Sequence, residues 1–218
     1  MATPLFSRRS YLPYPIEVLA ALLARVLYRV RWSGAEHIPA AGGALLIANH
    51  LSYVDPIVLQ LACPRRIRFV GFHGLTHHWF FELCLRWSGA LLISERRPSD
   101  GIKHAVRAVQ AGELLCLFPQ GDISRTGQLM EIKRGFELIA RRAQVSVIPV
   151  AIDGLWGSIF SFAGNKYLWK SPRLKSTPVF VAFGAPIPSG QVSVALARKA
   201  MLDLGVAAFE ERPVLRRH

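Results

Sequence analysis

Short apolar runs of strand length alternate along most of this chain with longer segments of helical spacing, and few folds tolerate that pattern. Residues 44–48, 67–71, 90–94, 114–118 and 145–152 read as buried strands, because apolar residues dominate them rather than falling at every second position. Between them, 55–61, 76–86, 100–110 and 135–142 read as helices; 178–183 adds a late strand and 192–209 a closing helix. The order strand, helix, strand, helix predicts the α/β class, with a largely parallel mixed sheet flanked by helices. No internal repeat or linker-like tract divides it. The expected organisation is an N-terminal segment, 1–33, followed by a single domain, 34–218. In such folds chemistry collects where strands end and loops begin.

Composition narrows the partners. Lys+Arg number 27 against 14 Asp+Glu, a formal net charge of +13, yet 51% of residues are hydrophobic and mean hydropathy is +0.28. A basic surface on so apolar a chain points to anionic lipid before nucleic acid. Residues 16–30 can be written as an amphipathic helix, with Glu17, Arg25 and Arg29 on one side and Leu19, Leu22, Leu23, Val26, Leu27 and Val30 around the rest. This predicts a helix lying on the membrane surface, with packing on the domain as the competing use of the same face. The purely apolar stretch near the start, 18–24, falls far short of the roughly 20 residues that a spanning helix needs. Cys63, Cys84 and Cys116 form no Cys-x-x-Cys pair, so the expectation is reduced thiols, with no metal and no disulfide framework. Without a secretory signal, the expected location is the cytoplasmic face of a membrane, peripheral or monotopic.

At the end of the first predicted strand stands Asn49-His50-Leu51-Ser52-Tyr53-Val54-Asp55-Pro56. Pro56 suits a first helical turn, so Asp55 can serve as an ordinary cap and His50 as a plain loop histidine. The alternative folds the Asp55 carboxylate back onto one imidazole nitrogen of His50, leaving the other as a general base. No Gly-x-Ser-x-Gly elbow is present, and no cysteine lies beside an activating motif. A base without a protein nucleophile places the attacking hydroxyl on the substrate.

The segment resembles the first motif of the glycerolipid (lysophosphatidate-type) acyltransferases: His, any four residues, Asp. The resemblance implies that His50 deprotonates an acceptor hydroxyl, that Asp55 orients it, and that the hydroxyl attacks an acyl thioester directly. Gly89-Ala90-Leu91-Leu92-Ile93-Ser94-Glu95-Arg96 is similar to the second motif, which implies that Arg96 contacts the acceptor's phosphate, with Arg97 beside it as the other candidate. Phe118-Pro119-Gln120-Gly121 resembles the third motif, Phe-Pro-Glu-Gly. Gln120 replaces the family glutamate, and Asp122-Ile123 stand where many members carry Thr-Arg, so Arg125 is the candidate stand-in for the absent cation. The loss of that cation favours a phosphodiester headgroup over a bare phosphomonoester. Gly121 permits close backbone approach, and its N–H is a candidate oxyanion donor. Val147-Ile148-Pro149-Val150 looks like the fourth motif, on the donor side.

The stretch Ser124-Arg125-Thr126-Gly127, then Lys133-Arg134-Gly135-Phe136, is similar to the acyltransferase domains fused to acyl carrier protein synthetases. The resemblance implies a lysophospholipid acceptor, lysophosphatidylethanolamine or 1-acylglycerol 3-phosphate, and acyl carrier protein or coenzyme A as thioester co-substrate, with no further cofactor. Aromatic residues interleaved with cations, such as Trp156, Phe160, Tyr167 and Trp169 among Lys166, Lys170 and Arg173, suit a membrane interface. Two other readings stay open at this stage: a catalytically impaired lipid-binding module, motivated by Gln120, and a nucleic-acid binder, motivated by charge and aromatics alone.

Overall fold

A computed structural model of the chain describes residues 25–72, 89–93, 98–165 and 177–212. Its centre is a seven-stranded sheet of β1 (Tyr28–Ser33), β2 (Ala44–Ala48), β3 (Ile67–Phe72), β4 (Leu91–Ile93), β5 (Leu114–Leu117), β6 (Val147–Asp153) and β7 (Thr177–Phe183), in the spatial order β1-β7-β6-β2-β5-β3-β4. Every neighbouring pair is parallel except β6 with β7. The helices are α1 (Asp55–Ala62), α2 (Pro98–Gln110), α3 (Gly135–Ala143) and α4 (Val194–Glu211). The predicted mixed, mostly parallel sheet with flanking helices is what the chain forms.

Strand β2 shows why the pattern is continuous rather than alternating. All five of its residues are buried, because both faces of the sheet are covered. Ala44, Leu46 and Ala48 pack with Val58, Leu59 and Ala62 of α1 on one face. Leu45 and Ile47 pack with Val109 of α2, Phe136 and Ile139 of α3, and Met201 of α4 on the other. Two apolar layers thus grip the central strands and fix where they end.

Two expectations change. The helix read over 16–30 does not reach Val30: residues 28–33 form β1, paired in parallel with β7 from Tyr28↔Thr177 to Ser33↔Ala182. The sequence there alternates Tyr28, Val30, Trp32 with Arg29, Arg31, Ser33, the period of a strand with one face packed. Its partner β7 lies far along the chain, which is why local spacing alone favours the helix. Tyr28 is 6% exposed and belongs to the core between β1 and α1. Of the helix read over 16–30, residues 25–27 are helical, while residues 16–24 and the helix read over 76–86 lie outside the described residues.

Candidate active site

Strand β2 ends at Ala48 and α1 begins at Asp55, so the intervening loop lies at the carboxyl end of the parallel strands. Asn49 extends β2 by side chain rather than backbone. Its Nδ2 donates to the Ile152 carbonyl at 2.9 Å, and its Oδ1 accepts from the Ile152 N–H at 2.7 Å. That lock on β6 releases the chain into a tight loop, and the backbone of His50 is held on both sides. The His50 N–H donates to Gln120 Oε1 at 2.7 Å, and its carbonyl accepts from the Ser124 N–H at 2.8 Å.

The carboxylate of Asp55 is fully buried and turns back into this loop. Its Oδ2 lies 2.7 Å from His50 Nδ1 and accepts the N–H groups of Leu51 at 2.6 Å and Ser52 at 2.9 Å. The helix N-cap is Val54, and no side chain caps it. Asp55 is therefore not the helix cap; it anchors the imidazole. With a carboxylate oxygen facing Nδ1, the neutral ring is assigned the tautomer that carries its proton on Nδ1 and its lone pair on Nε2. One face of the ring stacks on Phe118, centroids 4.1 Å apart and planes 17° from parallel. The His50 side chain is 17% exposed.

Burial acts on the neighbouring acids. It pushes the Tyr28 phenol up to about 12, and the negative charge of Asp55 adds to the rise. Burial likewise raises the Cys63 thiol to about 11 and holds that of Cys116 well above its ordinary value. Both thiols stay protonated near neutral pH, so neither is a ready nucleophile. The hydrogen bonds of His50 go to Asp55, Gln120 and Ser124. This arrangement can take a proton from an incoming hydroxyl, and neither described cysteine stands ready beside it as a nucleophile.

Strand β5 delivers the second loop. Pro119 and Gln120 form a turn closed by the Gly121 N–H donating to the Phe118 carbonyl at 3.1 Å, and Gly121 takes φ +79°. That bond commits the N–H, which corrects its expected use as an oxyanion donor. Gln120 is 5% exposed. Because a backbone N–H faces one end of its carboxamide, that end is the oxygen, and Nε2 is left buried without a partner among the described residues.

His50, Asp55, Phe118, Gln120 and Gly121 thus come together as the sequence predicts, with Pro119 shaping the turn. Arg125, the candidate stand-in for the absent cation, is exposed and packs against an aromatic ring. Its guanidinium lies over the Phe162 ring, 3.8 Å from the centroid, and Phe162 in turn meets Tyr53. Arg96 and Arg97 lie outside the described residues. The sequence reading missed two participants: Asn49, whose signal was its place directly before His50, and Lys133. A Cβ built at Gly121 would stand 2.7 Å from Lys133 Nζ, so that side chain runs along the loop.

The family model described as Acyltransferase matches residues 29–153, more than half of the chain. A 1-acyl-sn-glycerol-3-phosphate acyltransferase of Bacillus subtilis is 26% identical over 159 residues, covering 71% of this chain and 75% of that protein. One of Borreliella burgdorferi bearing the same name is 26% identical over 125 residues, covering 55% of this chain and 49% of its own length. Against several such relatives, including that one and a chloroplastic enzyme of Arabidopsis thaliana matched over 42% of its length, the match spans about half of the longer protein. The crystal structure of the 1-acyl-sn-glycerophosphate acyltransferase PlsC from Thermotoga maritima superposes with a TM-score of 0.62 at 20% identity, covering 93% of this chain and 85% of that one. That likeness concerns the fold.

Proposed function

The chain belongs to the acyltransferase family, and we propose that it transfers a fatty acyl group from a thioester to the free hydroxyl of a lysophospholipid at a membrane surface. The observation that carries the proposal is the 2.7 Å contact of His50 Nδ1 with buried Asp55, which leaves Nε2 as the ring nitrogen not held by that carboxylate, on a side chain that is 17% exposed. Nε2 takes the proton of the acceptor hydroxyl, and the oxygen attacks the thioester carbonyl. When the tetrahedral intermediate collapses, the carbon–sulfur bond breaks, and the imidazolium returns its proton to the leaving thiolate. Asp55 steadies the positive charge on the ring between those two transfers. Protonated Cys63 and Cys116 support direct transfer without an acyl-enzyme.

The names of the relatives support 1-acylglycerol 3-phosphate as acceptor. Acyl carrier protein and coenzyme A both fit as donor carriers. The lipid-binding alternative drew on Gln120, but its Oε1 accepts the His50 N–H, a bond a glutamate oxygen could make equally well, so the substitution leaves the clamp intact. The test is acyl transfer by the purified full chain and by His50→Ala, using labelled acyl donors of both kinds. The variant is expected to lose transfer by about a thousandfold or more while its circular dichroism and vesicle binding are retained. Near-full transfer by His50→Ala would refute the mechanism.

A further inference from the structure

The third-motif loop of this chain lacks the arginine that the family resemblance led us to expect, and Arg125 is engaged with Phe162. A cation is nevertheless present at the loop. The Lys133 N–H donates to the Pro119 carbonyl at 2.8 Å, which pins the start of that residue to the turn. Its side chain then follows Gly121: a Cβ there would lie 2.7 Å from Nζ, 3.0 Å from Cε and 3.4 Å from Cδ. All three of the nearest atoms belong to Lys133. Glycine at 121 thus does two things, adopting a positive φ and leaving the room that the lysine stem fills. Lys133 is exposed, while the adjoining Gln120 carboxamide is buried and clamps His50. The ammonium therefore lies one residue beyond the group that fixes the general base.

We infer that the ε-ammonium of Lys133 binds the phosphate of the acceptor headgroup and so sets where its free hydroxyl meets His50. This rests on the acyltransferase reading and extends it to a residue that the four motif blocks leave without a role. An ammonium is a compact charge with three rotatable donors, whereas a guanidinium presents a rigid fork. A lysine here donates to the oxygens of a monoester or a diester phosphate alike, so the absence of the arginine does not exclude a lysophosphatidate acceptor.

The test uses the full chain, with water-soluble hexanoyl lysophosphatidate and, as a phosphate-free control, monohexanoylglycerol. Binding is measured directly by calorimetry, alongside acyl transfer. Lys133→Met is expected to weaken lysophosphatidate binding by about tenfold to a hundredfold, as loss of a charge-assisted hydrogen bond predicts, and to leave monohexanoylglycerol unaffected. Lys133→Arg should recover most of the affinity. In transfer, Lys133→Met should raise the acceptor KM with little change in kcat. Equal affinity of wild type and Lys133→Met for lysophosphatidate, equal weakening for both ligands, or no lysophosphatidate binding by the wild type would each overturn the assignment. Binding that depends on Lys133, but without transfer by the wild type from either donor, would sustain the phosphate site and overturn the enzymatic reading.

Discussion

At the scale of single residues, the site depends on groups that hold His50 as much as on His50 itself. Its main-chain N–H has one acceptor, Oε1 of the buried Gln120 carboxamide, in a part-buried bond. Removing that acceptor strands the donor, which costs about 1–3 kcal/mol. Gln120→Leu is therefore expected to lower stability by that amount in urea unfolding, and to cut acyl transfer at least about tenfold as the imidazole loses its register with Asp55. Gln120→Glu keeps an oxygen facing the N–H and should stay within roughly threefold of wild-type transfer. Equal losses in the two variants would mean that the unpartnered Nε2, rather than Oε1, is the atom that matters. The His50–Asp55 pair was legible in sequence because both ends of it fall within one short loop. Lys133 was not, because its nearness to Gly121 follows from the main-chain bond between Lys133 and Pro119, a contact between separate stretches of the loop.

At the scale of elements, strands buried on both faces announced themselves. The sequence reading of β2 matches its limits, and the readings of β3, β5 and β6 differ from the observed strands by one or two residues at an end. Strand β1 was misread because its register comes from β7, and no local spacing encodes a partner so far along the chain. The joint after β1 shows how tightly that pairing is set. Gly34 takes φ +72°, and a Cβ there would stand 1.9 Å from the carbonyl oxygen of Phe183, the last residue of β7. The same oxygen lies 3.1 Å from His37 Nδ1. Gly34→Ala must both strain the backbone and push β7 away, so a loss of roughly 2–4 kcal/mol is expected in urea unfolding. A change below about 0.5 kcal/mol would show that β1 and β7 part easily and that the β1 edge is not a fixed part of the sheet.

At the scale of the whole molecule, strand direction brings two separated features to one end of the sheet. The loops carrying His50 and Gln120 follow the carboxyl ends of β2 and β5. Strand β7 runs antiparallel to β6 and parallel to β1, so the amino end of β1 points to that same end. Arg25, Val26 and Leu27, which lead into β1, are exposed there, Val26 by 72% and Leu27 by 50%. The strand order puts β7 and β6 between β1 and β2, a lateral separation of about 14 Å at the usual spacing of strands. No helix among the described residues is long and apolar enough to cross a membrane. A basic rim with exposed aliphatic side chains, at the same end of the sheet as the proposed active site, suits the peripheral attachment proposed above, in which lipid headgroups would meet that end of the sheet. Val26→Asp combined with Leu27→Asp should then reduce cosedimentation with phosphatidylglycerol vesicles by about tenfold, and raising salt from about 0.1 M to 0.5 M should weaken wild-type binding. The decisive readout is the split between substrates. The double variant should acylate hexanoyl lysophosphatidate in solution as well as wild type does, yet fail on a long-chain acceptor embedded in vesicles. Equal activity on both would move the membrane face elsewhere on the molecule. Equal loss on both would mean that these side chains serve the fold rather than the lipid surface.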